Sequence, residues 1–346
     1  MSSESSFLRR NWRMILTLIT VAALGGFIYA LRNQILNTIR SLDDVNYLIL
    51  LFMIPLQASH YHFVALFYRR LFRILGERVN YKFLYRTALE LNFVNLVFPS
   101  GGVSGFSYFS IRMRTKGVTA GRSTLVQTMR FVLLFVAFQI LLFFGVILLA
   151  LDGKASNFMI LIAGSLGTLL LVFTVGLGFI VGSKQRIDSF FTVVTKALNK
   201  IIQLVRPKHP ETINVSRAKL AFQEYHGNYA TLRKDYKRLG RPLVYALLIN
   251  LAEIGTIYAV FVAFGEWINP GAIIIAYAVA NFAGLISVLP GGIGIYEALM
   301  AGVLAAGGVP AALSLPVIVA YRVINIGVQL PAGAYFYNRA LHEREK

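Results

Sequence analysis

The sequence predicts an all-α integral membrane protein: a bundle of about six spanning helices with two further apolar segments that are broken in the middle. Of the 346 residues, 57% are hydrophobic and 14% are charged, and the mean hydropathy is +0.65. A soluble domain carries about a quarter charged residues. Apolar blocks such as 131–151 and 158–182 can cross ~30 Å of hydrocarbon. Strand-like alternation is absent from them, so helices must satisfy the backbone in lipid.

The apolar segments divide into complete spans and broken ones. We place the spans at 14–31, 46–67, 122–150, 157–182, 242–264 and 311–337. The broken segments are 83–111, interrupted at Pro99-Ser100-Gly101-Gly102, and 271–306, interrupted at Pro290-Gly291-Gly292. The first span follows three arginines without a small-residue cleavage site, so we expect it to be retained rather than cleaved. The same Pro-Gly-Gly residues would also fit an ordinary kink or loop between complete spans, since proline and glycine are both common in membrane helices.

The basic residues predict the orientation of these segments. Clusters at 69–86 and 112–122 and the basic segment 184–241 are expected in the cytoplasm by the positive-inside rule. The loops 151–157 and 265–270 have no basic excess and are expected outside. Each broken segment then begins and ends on one side, which predicts two re-entrant half-helix pairs that enter from opposite sides. We expect a plasma (inner) membrane location with both termini in the cytoplasm.

The broken segments open two similar stretches, 83–150 and 271–337. Pro99 precedes Arg130 by 31 residues, and Pro290 precedes Arg322 by 32 residues. Each stretch runs from a broken pair through a Gly-Val turn to a span that carries the arginine. With opposite orientations this predicts an inverted repeat within one membrane domain, 1–346, a plan that secondary transporters share and that places their sites near the midplane.

The segment 184–241 is the one long polar region of the sequence. Apolar residues recur at helical spacing from Ile187 to Val205 among lysines and arginines, which predicts a basic amphipathic connector on the inner leaflet. The formal net charge of +19 would suggest nucleic acid in a soluble protein. Here the basic residues flank the spans, where anionic lipid accounts for them, so we expect no nucleic-acid partner.

Ionisable residues inside predicted spans are site candidates, because each costs at least ~2.5–3.5 kcal/mol at a helix centre. The arginines of the two spans suit a phosphate, and the half-helices after each break present positive N-termini. An anionic lipid head-group site is therefore predicted at Arg130, Arg322, Gly101, Gly102, Gly291 and Gly292. The alternatives are structural ion pairs for both arginines and snorkelling for Arg130.

Three glutamates lie in apolar segments: Glu90, Glu253 and Glu297. Each is either the counter-charge of an arginine or a proton-coupling carboxylate, and counter-charge is the favoured interpretation. His60 and His62, two residues apart, lie on different helix faces, which argues against a shared metal; His60 is expected to face the bundle interior. Cysteine is absent, and no nucleotide-binding or nucleophile motif occurs, so we expect no metal, cofactor or catalytic residue.

The motif Leu-Pro-Gly-Gly-Ile-Gly-Ile-Tyr-Glu at 289–297, with Phe-Pro-Ser-Gly-Gly-Val-Ser-Gly at 98–105, resembles the flippase-like family. That family comprises the membrane domain of lysylphosphatidylglycerol synthases and stand-alone relatives. The resemblance implies movement of lipid between leaflets. The larger members carry a soluble aminoacyl-transfer domain; the sequence ends at Lys346 without one, so we do not expect enzyme activity.

The leading functional hypothesis is a flippase-like protein that binds or translocates an anionic or phosphate-linked membrane lipid. A first alternative is an accessory subunit of an envelope glycolipid, isoprenoid or hopanoid pathway, which presents a lipid to a separate lipid-modifying enzyme. A second alternative is an ion-coupled transporter of a small solute. A head-group cavity that opens sideways to the lipid favours the first two hypotheses, and a closed midplane cavity with paired carboxylates favours the solute transporter.

The inverted repeat predicts where single cysteines become accessible. The chain has no cysteine of its own, so Ser100→Cys and Gly291→Cys each create one thiol. With a membrane-impermeant maleimide on oriented vesicles, we expect these two thiols to react from opposite sides of the membrane. Reaction of both from the same side would contradict the opposite orientation of the two stretches.

Overall fold

Ten α-helices and one 3₁₀ turn form the part of the chain that the computed structural model describes: 45–98, 103–183, 235–286 and 294–342, with Gly292 and a few isolated positions. The helices are α1 (Tyr47–Leu50), α2 (Met53–Ile74), α3 (Tyr81–Val97), α4 (Val103–Arg114), α5 (Ala120–Leu151), α6 (Asn157–Val181), α7 (Gly240–Ala263), α8 (Pro270–Ile286), α9 (Ile295–Ala306) and α10 (Ala311–His342). The 3₁₀ turn Tyr236–Leu239 leads into α7. No strand occurs in these ranges, which confirms the all-α prediction.

Five helical segments are long and apolar enough to cross a membrane: Tyr47–Ile74, Ala120–Leu151, Asn157–Ile180, Tyr236–Ala263 and Ala311–His342. They coincide with five of the six predicted spans, so the protein is a multi-pass helical membrane bundle. The sixth predicted span, 14–31, lies outside the described residues, as does most of the connector 184–241. The second span was predicted to end at 67 but continues to Ile74. Arginine is a good helix former, so the basic cluster extends the helix rather than ending it.

The two predicted broken segments each consist of a longer and a shorter helix. Helices α3 and α4 have 17 and 12 residues, and α8 and α9 have the same two lengths. The helix that follows each pair, α5 or α10, has 32 residues. Residues 99–102 and 287–291, which contain the Pro-Gly-Gly breaks, lie outside the described residues. Helix length does not say from which side a segment enters, so re-entrance and the inverted repeat remain predictions.

The turns after the short helices are also alike. Gly117 and Gly308 adopt φ of +76° and +88°, a region that glycine enters without the cost that a Cβ adds. In each turn the following valine, Val118 or Val309, is buried and donates its N–H to the carbonyl five residues earlier, at 3.2 Å and 2.9 Å respectively. This is the pattern of a helix that ends in a Schellman motif. The Gly-Val pairs therefore end α4 and α9 in the same way.

Two large apolar cores hold the helices together. One is built from α2, α3, α4, α5 and α7, and the other from α5 to α10 with the start of α2. Helix α7 packs along α2, α10 packs along α3, and α8 packs against both α5 and α9. Because α5 and α7 take part in both cores, they lie at the junction where polar side chains from several helices meet.

A pair of glycines sets the distance between α5 and α8. A Cβ added to Gly271 would lie 2.3 Å from the carbonyl oxygen of Gly145. The neighbouring Asn269 fixes the approach, since its Oδ1 accepts from the Gly271 N–H at 2.7 Å and its Nδ2 donates to the Leu148 carbonyl at 3.1 Å. Such small residues allow close backbone contact between membrane helices. Asn269 and Lys154 also hydrogen-bond to Asp152 after α5, and these bonds lower the pKa of its carboxyl.

Substituting Gly271 by alanine should therefore destabilise the bundle. Overpacking of a tight contact costs ~1–3 kcal/mol, so we expect a lower midpoint of thermal unfolding in detergent, followed by circular dichroism. Gly164→Ala in α6 is the matched control, because a Cβ there meets no atom within 4 Å. An equal midpoint for the two variants would contradict the close contact of α5 and α8.

Candidate functional site

A cavity of about 390 Å³ lies inside the bundle, and Arg130 of α5 and Arg322 of α10 both line it. Residues of six other helices complete its wall, so that α2 to α5 and α7 to α10 all contribute residues. Both broken segments reach it, through Gly105 of α4 and through Gly292 just before α9. The two arginines that the sequence places at equivalent positions therefore meet at one cavity.

Arg322 is neutralised by a carboxylate of the neighbouring short helix. Its Nη1 donates to Oε1 of Glu297 at 2.9 Å, and the two side chains are 9% and 4% exposed. The other oxygen of Glu297 accepts the Gly294 N–H at 2.7 Å. Glu297 therefore fills the positive N-terminus of α9 and balances the arginine at the same time. The guanidinium also lies 4.7 Å from the ring centroid of Tyr296.

Arg130 is held by neutral groups. Its Nη1 donates to the Tyr68 hydroxyl at 2.9 Å, and that hydroxyl donates to Oε1 of Gln127 at 3.0 Å. The guanidinium lies 5.6 Å from the centroid of the Tyr68 ring. Among the residues that the structure describes, no carboxylate oxygen comes within 4 Å of it. Arg130 therefore brings a positive charge to the cavity wall, and no carboxylate of the described residues forms an ion pair with it.

When its two prolines are superposed, the predicted repeat aligns an aromatic residue with Glu297. Pro99 and Pro290 are 191 residues apart, and at this offset Glu297 corresponds to Phe106. Phe106 also lines the cavity. The first stretch thus has an aromatic ring where the second has the carboxylate that neutralises its arginine.

Glu253 of α7 brings a carboxylate to the wall of the cavity. It accepts hydrogen bonds from Gln57 at 3.1 Å, from Asn325 at 3.0 Å and from the hydroxyl of Tyr321. Nδ1 of His60 lies 3.3 Å from its Oε2, and the side chains of His60 and Glu253 are 19% and 10% exposed. In the described ranges no lysine or arginine nitrogen lies within 4 Å of this carboxylate.

A ladder of hydrogen-bonded amide side chains, formed by Gln57, Asn325, Gln329 and Asn92, extends from Glu253. Gln329 donates to Gln57 at 2.7 Å and to Asn325 at 2.8 Å, and it accepts from Asn92 at 2.6 Å. Each amide thus gives another amide a hydrogen-bond partner among apolar side chains, where a polar group without such a partner would cost ~1–3 kcal/mol. The ladder joins α2, α3 and α10 around the carboxylate.

The third predicted glutamate, Glu90, belongs to a separate buried pair. Arg112 donates to it twice, from Nε at 2.8 Å and from Nη2 at 3.0 Å, and Tyr108 adds a hydrogen bond of 2.9 Å. Neither Glu90 nor Arg112 lines the cavity. This pair fastens α3 to α4, so the structure gives Glu90 a counter-charge outside the candidate site.

The remaining predicted residues divide between the cavity and the undescribed part of the chain. Gly292 is buried at φ +66° and lines the cavity. Gly101, Gly102 and Gly291 lie outside the described residues. His60 faces the interior, whereas His62 is exposed and contacts the Tyr81 hydroxyl at 2.7 Å, so the two histidines lie apart as their spacing predicts.

Several cavity residues were not singled out by the sequence analysis. Tyr321, Asn325 and Gln329 recur every four residues in α10 and therefore share one helix face. A polar stripe of this kind in an otherwise apolar span is a readable signal. The pairing of Arg130 with Tyr68 carries no such signal, because the two residues are far apart in sequence and Tyr68 is one aromatic residue among many.

Comparison with known proteins gives a family and two partial relatives. The family model described as the lysylphosphatidylglycerol synthase TM region matches residues 14–333. A UPF0104 membrane protein of Methanothermobacter thermautotrophicus is 35% identical over 108 residues, which are 31% of this chain and 32% of the relative. A UPF0104 membrane protein of Pyrococcus horikoshii is 26% identical over 138 residues, 38% of this chain and 41% of the relative. These alignments thus cover well under two thirds of either relative.

The buried pair of α3 and α4 predicts a large effect of a small substitution. Glu90→Gln removes the charge that balances Arg112, and breaking one side of a buried pair costs ~3–5 kcal/mol. We expect a clearly lower midpoint of thermal unfolding in detergent. Glu77→Gln is the matched control, because Glu77 and its partner Arg122 are 21% and 36% exposed and such pairs contribute ~0–1 kcal/mol. Equal losses in both variants would contradict the structural role of the buried pair.

Proposed function

Because the chain belongs to the family of the lysylphosphatidylglycerol synthase transmembrane region, we propose that it is a flippase-like protein that binds an anionic or phosphate-linked lipid head group in the intramembrane cavity and moves it between leaflets. The observation that carries the proposal is Arg130. It lines the cavity and, in the described part of the chain, has neutral partners only. A positive charge in hydrocarbon is stabilised by an anion that enters beside it.

The ligand would bind as an anion at Arg130 rather than at Arg322. Glu297 already satisfies Arg322 and the N-terminus of α9, so a phosphate there would have to displace a buried carboxylate. The Arg130 guanidinium gives one donor to Tyr68 and retains donors for a phosphate oxygen. Arg322 would then contribute by holding the wall of the cavity in shape.

The second support is the apolar wall beside Arg130. Phe131, Leu134, Phe135 and Phe138 follow it on α5 at spacings that share one helix face, and all four line the cavity. A small ion gains nothing from contact with apolar side chains, whereas a lipid has both a charged head group and apolar chains. The amphipathic lining therefore favours a lipid over the small solute of the alternative hypothesis. The volume of about 390 Å³ is within the range of small-ligand pockets, ~300–1,000 Å³, and suits a head group rather than a whole lipid.

The accessory-subunit hypothesis uses the same site and differs in what happens after binding. A protein that presents a lipid to an enzyme needs affinity for the lipid, whereas a flippase must also release it on the other side. Transport and binding must therefore be measured separately.

Replacing Arg130 by methionine should weaken binding of an anionic lipid. A hydrogen bond to a charged group contributes ~1.5–3 kcal/mol, so we expect the affinity of the purified protein for fluorescent phosphatidylglycerol to fall at least ~10-fold. In vesicles, the variant should also slow the transfer of labelled phosphatidylglycerol between leaflets, measured by quenching of the outer leaflet.

Arg122→Met is the matched control for this test, because it removes a positive charge from the same helix at a residue that pairs with Glu77. It should leave binding and transfer unchanged. Equal binding by wild type and Arg130→Met would contradict the proposed site. Binding without any transfer faster than in protein-free vesicles would favour the accessory role over the flippase.

A further inference from the structure

The three buried glutamates of the bundle have different partners. Glu90 and Glu297 each bind an arginine, which keeps its charge at all physiological pH values. For Glu253, the basic group within 4 Å among the described residues is His60, at 3.3 Å. Imidazole gains and loses a proton near neutral pH. The charge of the Glu253–His60 pair can therefore change by the uptake of one proton.

The groups that face this pair keep a constant charge near neutral pH. Tyrosine and arginine side chains do not exchange a proton near neutral pH. Helices α2, α5, α8, α9 and α10 present, in this order, Tyr61, Arg130, Tyr277, Tyr296 with Glu297, and Tyr321 with Arg322. Helix α3 adds neutral asparagines, and neither α1 nor the 3₁₀ turn before α7 contributes to the lining. Among the described lining residues, the pair of Glu253 and His60 joins a carboxylate to an imidazole, the type of side chain that exchanges protons near neutral pH.

A charge count connects the pair with Arg130. Arg322 and Glu297 cancel each other, and with a neutral His60 the positive Arg130 balances the negative Glu253. The described cavity is therefore neutral when no ligand is bound. An anionic head group would leave one uncompensated negative charge in a setting that solvates charge poorly. One proton added to the pair restores neutrality.

We propose that the Glu253–His60 pair takes up one proton when an anionic head group binds at Arg130, so that proton and lipid occupy the cavity together. This inference rests on the proposed function. The proton comes from water at the open side, resides on the carboxylate or the imidazole, and returns to water when the head group leaves. No bond of the lipid is made or broken. A proton gradient then drives the lipid in the direction in which the proton moves.

The proposal predicts how affinity depends on pH. The anion favours the protonated pair, so binding weakens as the pH rises and the pair of the free protein loses its proton. Over that pH range the dissociation constant for short-chain phosphatidylglycerol should increase, approaching tenfold per pH unit. The phosphodiester itself stays ionised throughout the range of roughly pH 5.5 to 8.5.

Glu253→Gln is the decisive variant. Glutamine has nearly the shape of glutamate, keeps an oxygen that accepts from Tyr321 and Asn325, and imitates the uncharged, protonated carboxyl. We expect this variant to bind phosphatidylglycerol with the affinity that wild type has at low pH, and without pH dependence. The variant keeps all five histidines of the chain. A pH dependence that came from the histidines alone would therefore persist in it.

A second measurement keeps the test independent of that variant. Proton uptake can be followed in weakly buffered solution near pH 7 with a pH indicator dye. Wild-type protein should take up at most one proton for each phosphatidylglycerol molecule that binds, and none with zwitterionic phosphatidylcholine. Arg130-dependent binding that is independent of pH, or a pH dependence that Glu253→Gln retains in full, would overturn the coupling and leave the proposed function intact. Absence of phosphatidylglycerol binding at every pH would instead overturn the proposed function.

Discussion

Hydrocarbon solvates charge poorly, and this constraint decides how the polar residues of the bundle are arranged. Each buried glutamate is surrounded by donors: Glu90 by Arg112 and Tyr108, Glu297 by Arg322 and a helix N-terminus, and Glu253 by amides, a hydroxyl and an imidazole. An apolar core lies on either side of the cavity. Among the described residues, the buried carboxylates are found in the Glu90 pair and at or next to the cavity.

The interrupted segments give that cavity its shape. Two pairs of helices with the same lengths reach it, and each is followed by a long helix that carries one of the two arginines. A continuous helix would present side chains along its whole length, whereas a helix that ends within the bundle presents a terminus and leaves space. Close contacts such as that of Gly145 with Gly271 bring the surrounding helices near enough to enclose this space.

The two arginines differ in their described partners. Arg322 binds Glu297, whereas Arg130 binds the hydroxyl of Tyr68. The pair of Glu253 and His60 comes from α7 and α2, which lie outside both stretches of the predicted repeat. If the repeat supplies the scaffold, these two helices supply the group whose charge can change, and the same cavity can then respond to both an anion and a proton.

The sequence by itself determined the fold class, five of the spans and the positions of both broken segments, because hydrophobic blocks and Pro-Gly punctuation are local properties of the chain. It also identified Arg130, Arg322 and the three glutamates, since a charge in an apolar block is visible without coordinates. The partners were decided by tertiary structure alone. Glu253 comes together with residues about 200 positions before it and about 70 after it, and no local pattern encodes such contacts. Only packing assigned Glu90 to Arg112 and Glu297 to Arg322, and left Arg130 facing the cavity with a tyrosine.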